Sequence, residues 1–291
     1  MTDLRECPPM ATHEEGRFDG EGGVEIYWQA WLPDAGATPR ATVVLAHGAS
    51  EHGGRYAWTG EQLAARGYAL HAIDHRGHGK SAGPRAVIDR MQNAVEDLHT
   101  LVEKAHGRQP DRPLALLGHS MGGCVAIAYT IEHEDALDAL VLTGPLAVLE
   151  AASPVQRAAG RVLSVVAPKL GVVGIDASAV SRDPEVVKDY DADPLNYHGK
   201  LPARTVAELS KAIDGFPEAV TRFKLPLLVM HGTADRLVPI AAGQMVADRA
   251  GSEDKTWKPY DGLFHEILNE PERQQVLDDI ADWLDERFAA A

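Results

Sequence analysis

The chain has 291 residues, 45% of them apolar, which is enough material for one large hydrophobic core. Its 28 lysines and arginines face 43 acidic residues, a formal charge of −15 that repels phosphate backbones and anionic membrane faces at long range. That balance argues against nucleic acid as a partner, and the two cysteines, Cys7 and Cys124, argue against a disulfide-stapled scaffold.

The opening stretch, Met1 to Phe18, is polar and acidic without an apolar h-region, so no secretory signal peptide is expected. No segment has the length and apolarity of a membrane span, and a cytoplasmic protein is the default expectation. Residues 1 to about 13 read as a loose leader. Arg17-Phe18 and Val24 to Trp28 flank a Gly-rich turn, Asp19 to Gly23, and predict an opening hairpin. Ala41 to Ala46 is a continuous apolar run of the kind buried on both faces of a sheet. A helix is predicted over Tyr56 to Arg66, closed by Gly67, and a strand over Tyr68 to Ile73. Val87, Met91, Val95, Leu98 and Val102 recur at three and four residues and predict a helix over Ala86 to His106. Leu114 to Leu117 predicts a strand, Met121 to about Glu132 a helix, and Leu137 to Leu142 another strand. Strands at Leu225 to Met230 and Lys255 to Tyr260 follow, and Val276, Ile280 and Leu284 mark a closing helix over Pro271 to Phe288.

Strands alternating with helices predict an α/β fold with a mostly parallel central sheet and helices on both faces. The rhythm breaks from Pro145 to about Phe223. That segment begins with the apolar, helical Val155 to Gly174 and ends in a loop-rich part containing Asp193-Pro194-Leu195-Asn196-Tyr197. It reads as a helical cap insertion, residues 145–223, set into a core of residues 14–144 and 224–291. The alternative is two extra helices that thicken one layer.

Gly118-His119-Ser120-Met121-Gly122 follows a predicted strand and precedes a predicted helix, the context of a nucleophile elbow. Ser120 must sit on a tight, strained turn, which requires small neighbours, and its Oγ then emerges near a helix N-terminus that favours negative charge. His47-Gly48-Ala49 follows the Ala41 to Ala46 strand, so the backbone N–H groups of Ala49 and Met121 form the expected oxyanion hole. The acid and base should come later in the chain, in that order. Asp235 lies in a turn beyond one strand and His265 in a loop beyond the next, at the strand ends where open α/β sheets build their sites. His265 would take the Ser120 proton, while Asp235 would fix the imidazole tautomer. His47, His52, His71, His75, His78, His119, His198 and His231 read as loop or core residues, and Asp261, which competes with Asp235, as a loop-shaping one. Asp74-His75-Arg76-Gly77-His78-Gly79-Lys80-Ser81 lacks the order of a phosphate loop, and His75 and His78 have no coherent ligand set around them, so neither cofactor nor metal is expected.

Several motifs together resemble the bacterial monoacylglycerol lipases of the α/β-hydrolase superfamily: His47-Gly48-Ala49-Ser50-Glu51-His52-Gly53-Gly54-Arg55-Tyr56, Asp74-His75-Arg76-Gly77-His78-Gly79, Gly118-His119-Ser120-Met121-Gly122-Gly123, His231-Gly232-Thr233-Ala234-Asp235 and His265-Glu266. The resemblance implies the α/β-hydrolase fold, a Ser120–Asp235–His265 triad, and an oxyanion hole from Ala49 and Met121. It also implies a monoacylglycerol or similar lipid ester as substrate, cleaved through an acyl-enzyme to glycerol and fatty acid without a cofactor. Ser50 stands where many relatives carry glycine. Similar motifs occur in lysophospholipases and broad carboxylesterases, which stay open as alternatives, with a cofactor-free perhydrolase or a non-catalytic binding protein behind them. The apolar run Val162 to Ile175 would allow the cap to guide an acyl chain inward and to touch lipid surfaces transiently.

Overall fold

The computed structural model describes residues 11–34, 37–149 and 154–288. Strands β1 (Thr12–Asp19) and β2 (Glu25–Leu32) pair antiparallel, in register from Thr12 opposite Leu32 to Asp19 opposite Glu25. A 3-10 turn over Glu21–Gly23 joins them, with Gly22 and Gly23 at φ near +70°. Thr12 and His13 therefore belong to the hairpin instead of a leader, and the His13 ring packs 5.2 Å from that of Trp31. Residues 1–10 lie outside the described residues.

The elements that follow are β3 (Ala41–Ala46), α1 (Ala57–Ala65), β4 (Tyr68–Ile73), α2 (Met91–Arg108), β5 (Leu114–His119), α3 (Met121–His133) and β6 (Ala139–Thr143). Between β6 and the next sheet strand come α4 (Pro154–Val166), β7 (Gly171–Val173), α5 (Pro184–Ala192), β8 (Leu201–Pro202) and α6 (Ala203–Ala219). The chain closes with β9 (Leu227–Gly232), α7 (Ala241–Arg249), β10 (Lys255–Tyr260) and α8 (Arg273–Phe288).

Eight strands form one sheet in the order β1-β2-β4-β3-β5-β6-β9-β10. From β4 to β10 every neighbouring pair is parallel, and the β1–β2 hairpin adds the antiparallel edge. Each residue of β3, β4, β5, β6 and β9 is buried, as expected for parallel strands covered on both faces. One apolar cluster joins Leu98 of α2, Val125 of α3, Ile213 of α6 and Val246 of α7, and the other joins Leu63 of α1 to Val276 and Ile280 of α8. The fold is thus the α/β-hydrolase architecture with a helical cap insertion between β6 and β9.

Two local expectations fail for identifiable reasons. Residues 86–90 are not helical: Ala86 has φ +57° and Arg90 is extended. Thr205 Oγ1 donates to Ala86 O at 2.7 Å and accepts from Ile88 N–H at 2.9 Å, so this stretch is pinned by α6 and its valine is buried by docking. The second half of the inserted segment is also more ordered than its loop-rich reading. Asp183 caps α5 by accepting from Glu185 N–H at 2.9 Å, with Pro184 at its first turn. Leu209, Ile213 and Phe216 give α6 a stripe that joins the same cluster as α3, so this helix serves both the inserted segment and the main core. Among the described residues, no helix is long and apolar enough to cross a membrane.

Candidate active site

The β5-to-α3 turn forces Ser120 into the left-handed region, φ 53° and ψ −118°, a conformation that costs a non-glycine residue of order 1–3 kcal/mol. The surroundings hold it there. Ser120 N–H donates to Thr143 O at 3.1 Å, and Ser120 O accepts from Leu146 N–H at 3.0 Å. Space at the turn is exhausted: a Cβ at Gly122 would lie 2.0 Å from Ala46 O, and one at Gly118 2.7 Å from Ala126 Cβ. Gly122→Ala is accordingly expected to destabilise the protein by about 3 kcal/mol or more, because the obstructing atom is backbone. A guanidinium unfolding curve checks this, and a midpoint equal to wild type would contradict it.

Asp235 sits in the turn after β9 and His265 in the loop after β10. Asp235 Oδ2 accepts from His265 Nδ1–H at 2.6 Å, while Asp235 Oδ1 accepts the N–H groups of Leu237 at 2.8 Å and Val238 at 2.9 Å. Burial alone would raise the Asp235 pKa, but hydrogen bonds from His231 and His265 outweigh it and hold this carboxyl well below the usual range. Burial would lower His265, yet the bond and charge of Asp235, with Glu266 and Glu51 behind them, keep its pKa above that of free imidazole. His119 packs 4.8 Å from the His265 ring and donates to Thr143 O, and burial pushes its pKa down to about 3. It therefore stays neutral beside His265, whose pKa is held up.

His231 is the neighbour that its bland reading missed. Its Nε2 lies 3.1 Å from both Asp235 Oδ2 and Val238 O, so one imidazole N–H bridges the Asp235 carboxylate and the turn that follows it. The only signal in the sequence is the i,i+4 spacing to Asp235. Asp261, the rival acid, is exposed and accepts from Thr233 Oγ1 at 3.2 Å, a turn contact outside the cavity.

The loop after β3 supplies the other wall. His47 Nδ1–H donates to Gly48 O at 2.7 Å and His47 Nε2 accepts from His75 N–H at 3.0 Å, which makes His47 a loop brace. Ser50 takes φ 63°, a left-handed position that glycine fills without strain. Among the described residues, neither Ala49 N–H nor Met121 N–H donates to another protein group, and both follow turns beside Ser120. The Met121 side chain is fully buried in the core, as its packing role requires.

A cavity of about 190 Å³ opens on this arrangement. Ser120, His265 and Ala49 line it together, and Asp235 stands behind His265. Val173, Ile175, Val180, Leu201, Val206 and Leu209, all from the inserted segment, supply most of its apolar wall. His75 and His78 pack against the His47 ring at 4.6 and 5.5 Å instead of meeting over a ligand site. Among the described residues, the group with metal-ligating atoms within 4.8 Å of one another is Glu96, Glu132 and His133, on α2 and α3 outside the cavity lining.

A serine on a strained elbow, a buried His–Asp pair and an apolar cavity between core and cap define a serine hydrolase of the α/β-hydrolase fold. The chain belongs to the Hydrolase_4 family, described as serine aminopeptidase, S33, whose model matches residues 37–272. It is 44% identical over 275 residues to the monoacylglycerol lipase of Mycolicibacterium smegmatis, covering 94% of this chain and 98% of that protein. It is 34% identical over 273 residues to the monoglyceride lipase of Homo sapiens, covering 92% and 89%. Among solved structures, the monoacylglycerol lipase of Paleococcus ferrophilus superposes with a TM-score of 0.78 at 26% identity, covering 95% of this chain and 99% of that one.

Proposed function

We propose that this protein is a monoacylglycerol lipase in which Ser120, Asp235 and His265 form the catalytic triad and the backbones of Ala49 and Met121 the oxyanion hole. The observation that carries this reading is the apolar cavity with Ser120 and His265 on its floor and Asp235 bonded behind. His265 takes the Ser120 proton as Oγ attacks the ester carbonyl, and the oxyanion forms toward Ala49 and Met121. His265 then protonates the departing glycerol oxygen, and water activated by the same imidazole releases the fatty acid. A neutral substrate suits the cavity. Its two glutamates, Glu51 and Glu266, are both engaged by Arg55, so neither is left to anchor the free α-ammonium that an aminopeptidase must recognise.

In this reading residues 145–223 act as the cap and residues 14–144 and 224–291 as the core. The cap walls the acyl channel, and its outer side carries Val165 and Val166, 73% and 71% exposed, close to Val162 and Leu170. Such a patch suits a cytoplasmic enzyme that touches lipid surfaces transiently. Val165→Ser/Val166→Ser is expected to weaken co-sedimentation with phosphatidylcholine vesicles roughly thirtyfold, from about 1 kcal/mol per valine. Hydrolysis of soluble p-nitrophenyl butyrate should stay unchanged, and undiminished vesicle binding would remove the patch from the proposal.

The deciding experiment is glycerol release from 2-oleoylglycerol by the purified protein and by Ser120→Ala. Lysophosphatidylcholine, triolein and p-nitrophenyl butyrate run in parallel. Ser120-dependent release with poor turnover of the phospholipid and triolein supports the lipase. Activity restricted to the nitrophenyl ester would replace it by a small-ester carboxylesterase on the same scaffold.

A further inference from the structure

In the cavity wall, two carboxylates share one buried guanidinium that stands behind them. Arg55 Nη1–H donates to Glu51 Oε2 at 2.8 Å and to Glu266 Oε1 at 2.6 Å, while Nη2–H donates to Glu266 Oε2 at 2.7 Å. The three side chains are 10%, 2% and 6% exposed. None of them transfers a proton in the proposed hydrolysis. Their remaining contacts lead outward to both halves of the reacting apparatus.

Glu51 Oε1 accepts from Gly48 N–H at 2.6 Å and from Tyr56 Oη–H at 2.9 Å, which fixes the His47–Gly48 peptide, one unit before the Ala49 N–H. A Cβ at Gly48 would stand 2.8 Å from that same oxygen, so the loop closes tightly on the carboxylate. Glu266 directly follows His265, accepts from Asn269 Nδ2–H at 2.9 Å, and donates its N–H to Val180 O at 2.8 Å. Above the guanidinium, the Tyr190 ring of α5 lies 4.8 Å from Arg55 Cζ. Two more bonds tie the same loop to the inserted segment, His52 Nε2 to Asp193 Oδ2 at 2.9 Å and Tyr197 N–H to Ser50 O at 2.9 Å.

We infer that Arg55 is a positioning residue: through Glu51 it holds the oxyanion loop, through Glu266 it holds the His265 loop, and Tyr190 clamps it from the cap. One planar guanidinium thereby fixes the separation between the oxyanion donors and the general base. The inference rests on the ester-hydrolase reading above. Stability alone does not account for the cluster, because buried ion groups exchanged for well-packed apolar ones are often neutral or stabilising. Geometry does account for it. Only a guanidinium presents donors in one plane to two carboxylates at once, whereas an ammonium is a point charge on a flexible stem.

The test uses the full chain carrying Arg55→Lys, Glu51→Gln or Tyr190→Leu. Active sites are counted by fluorophosphonate titration, then kcat and KM are measured on p-nitrophenyl butyrate together with inhibition by an alkyl boronic acid that forms a tetrahedral adduct. For Arg55→Lys, kcat per titrated site should fall by about tenfold or more, the range expected when a reacting group is displaced by a fraction of an ångström. Boronate affinity should weaken by a similar factor while KM stays within about threefold, since only transition-state binding is lost. Glu51→Gln and Tyr190→Leu should move kcat and boronate affinity in the same direction by a few-fold, and they carry the test if Arg55→Lys does not fold. A purely structural cluster predicts fewer titrated sites and a lower Tm with kcat per site within about twofold of wild type; that result overturns the inference. A wild-type protein that labels with fluorophosphonate but cleaves no ester would instead overturn the reading beneath it.

Discussion

Asp235→Asn is expected to lower kcat by roughly four orders of magnitude while the protein remains folded. The reason lies in which atoms Asp235 uses. Oδ1 accepts two backbone N–H groups, so an asparagine keeps its oxygen there and turns its amide toward His265. That amide donates to Nδ1, which then cannot carry the proton, and Nε2 becomes protonated and unable to accept from Ser120. The Asp235 charge that holds the His265 pKa up is lost at the same time. In the wild type, kcat/KM should rise with pH through an inflection above that of free imidazole, because the base must be neutral to act. In Asp235→Asn that inflection should move down. A fall in kcat of less than tenfold would remove Asp235 from the acid's role.

The second large effect concerns acid. Burial lowers the pKa of His71 to about 4, of His75 to about 3, of His78 to about 4 and of His119 to about 3, and it pushes His47 well below the usual range. Among the described residues, both ring nitrogens of His75 and Nε2 of His78 are buried without a hydrogen-bond partner, so these rings fold only as neutral groups. In the unfolded chain each histidine takes up a proton near pH 6.5, and the native state does not follow until far lower pH. Unfolding therefore binds protons across this range, and stability must fall as pH falls below about 6.5. Each histidine contributes at most ~1.4 kcal/mol per pH unit, so five together are large beside a total of about 5–15 kcal/mol. Opposing contributions are fewer: His265 is raised, and burial also raises Glu51, Asp74 and Asp97, so these four take up protons more readily in the folded chain than in the unfolded one. Urea unfolding at pH 8, 7, 6 and 5 should show a midpoint that is flat at the top and drops steeply at the bottom. A constant midpoint from pH 7 to 5 would show that these rings are not neutral and buried as described.

What the sequence discloses and what it hides divides along local and non-local physics. Ala41–Ala46 and Tyr68–Ile73 are legible to the residue because a fully buried parallel strand is an unbroken apolar run. The elbow is legible because its glycines answer a steric need within five residues. The placing of Asp235 and His265 beyond two successive strands is legible because both strands are visible in the sequence, though the bond between the two residues is not. Residues 86–90 are misread because Val87 is buried by a loop docked onto α6, a contact that imitates helical spacing. In α6, Gly215 and Pro217 obscure a stripe otherwise visible at Leu209, Ile213 and Phe216, and α7 has only nine residues with a weak apolar face. His231 and the Arg55 cluster are hidden for another reason. Their partners lie on segments far apart in the chain, and only the closed sheet brings them together.

The inserted segment leaves β6 at Thr143 and re-enters at Leu227, and these two strands are parallel neighbours, with Thr143 opposite Met230. A connection between such strands must climb away from one end of the sheet and descend to the other, and α6 makes the descent, sealed against α3. The stretch before α6 has no such duty to the sheet. Exchanging the upper portion of the crossover would therefore leave the strand order of the sheet intact, but it would also remove Leu146, Val180 and Tyr190, through which the segment holds Ser120, the His265 loop and Arg55. One segment thus both walls the cavity and keeps its floor aligned, and a chimera joined at Gly144 and at Ala203 is expected to change the two together.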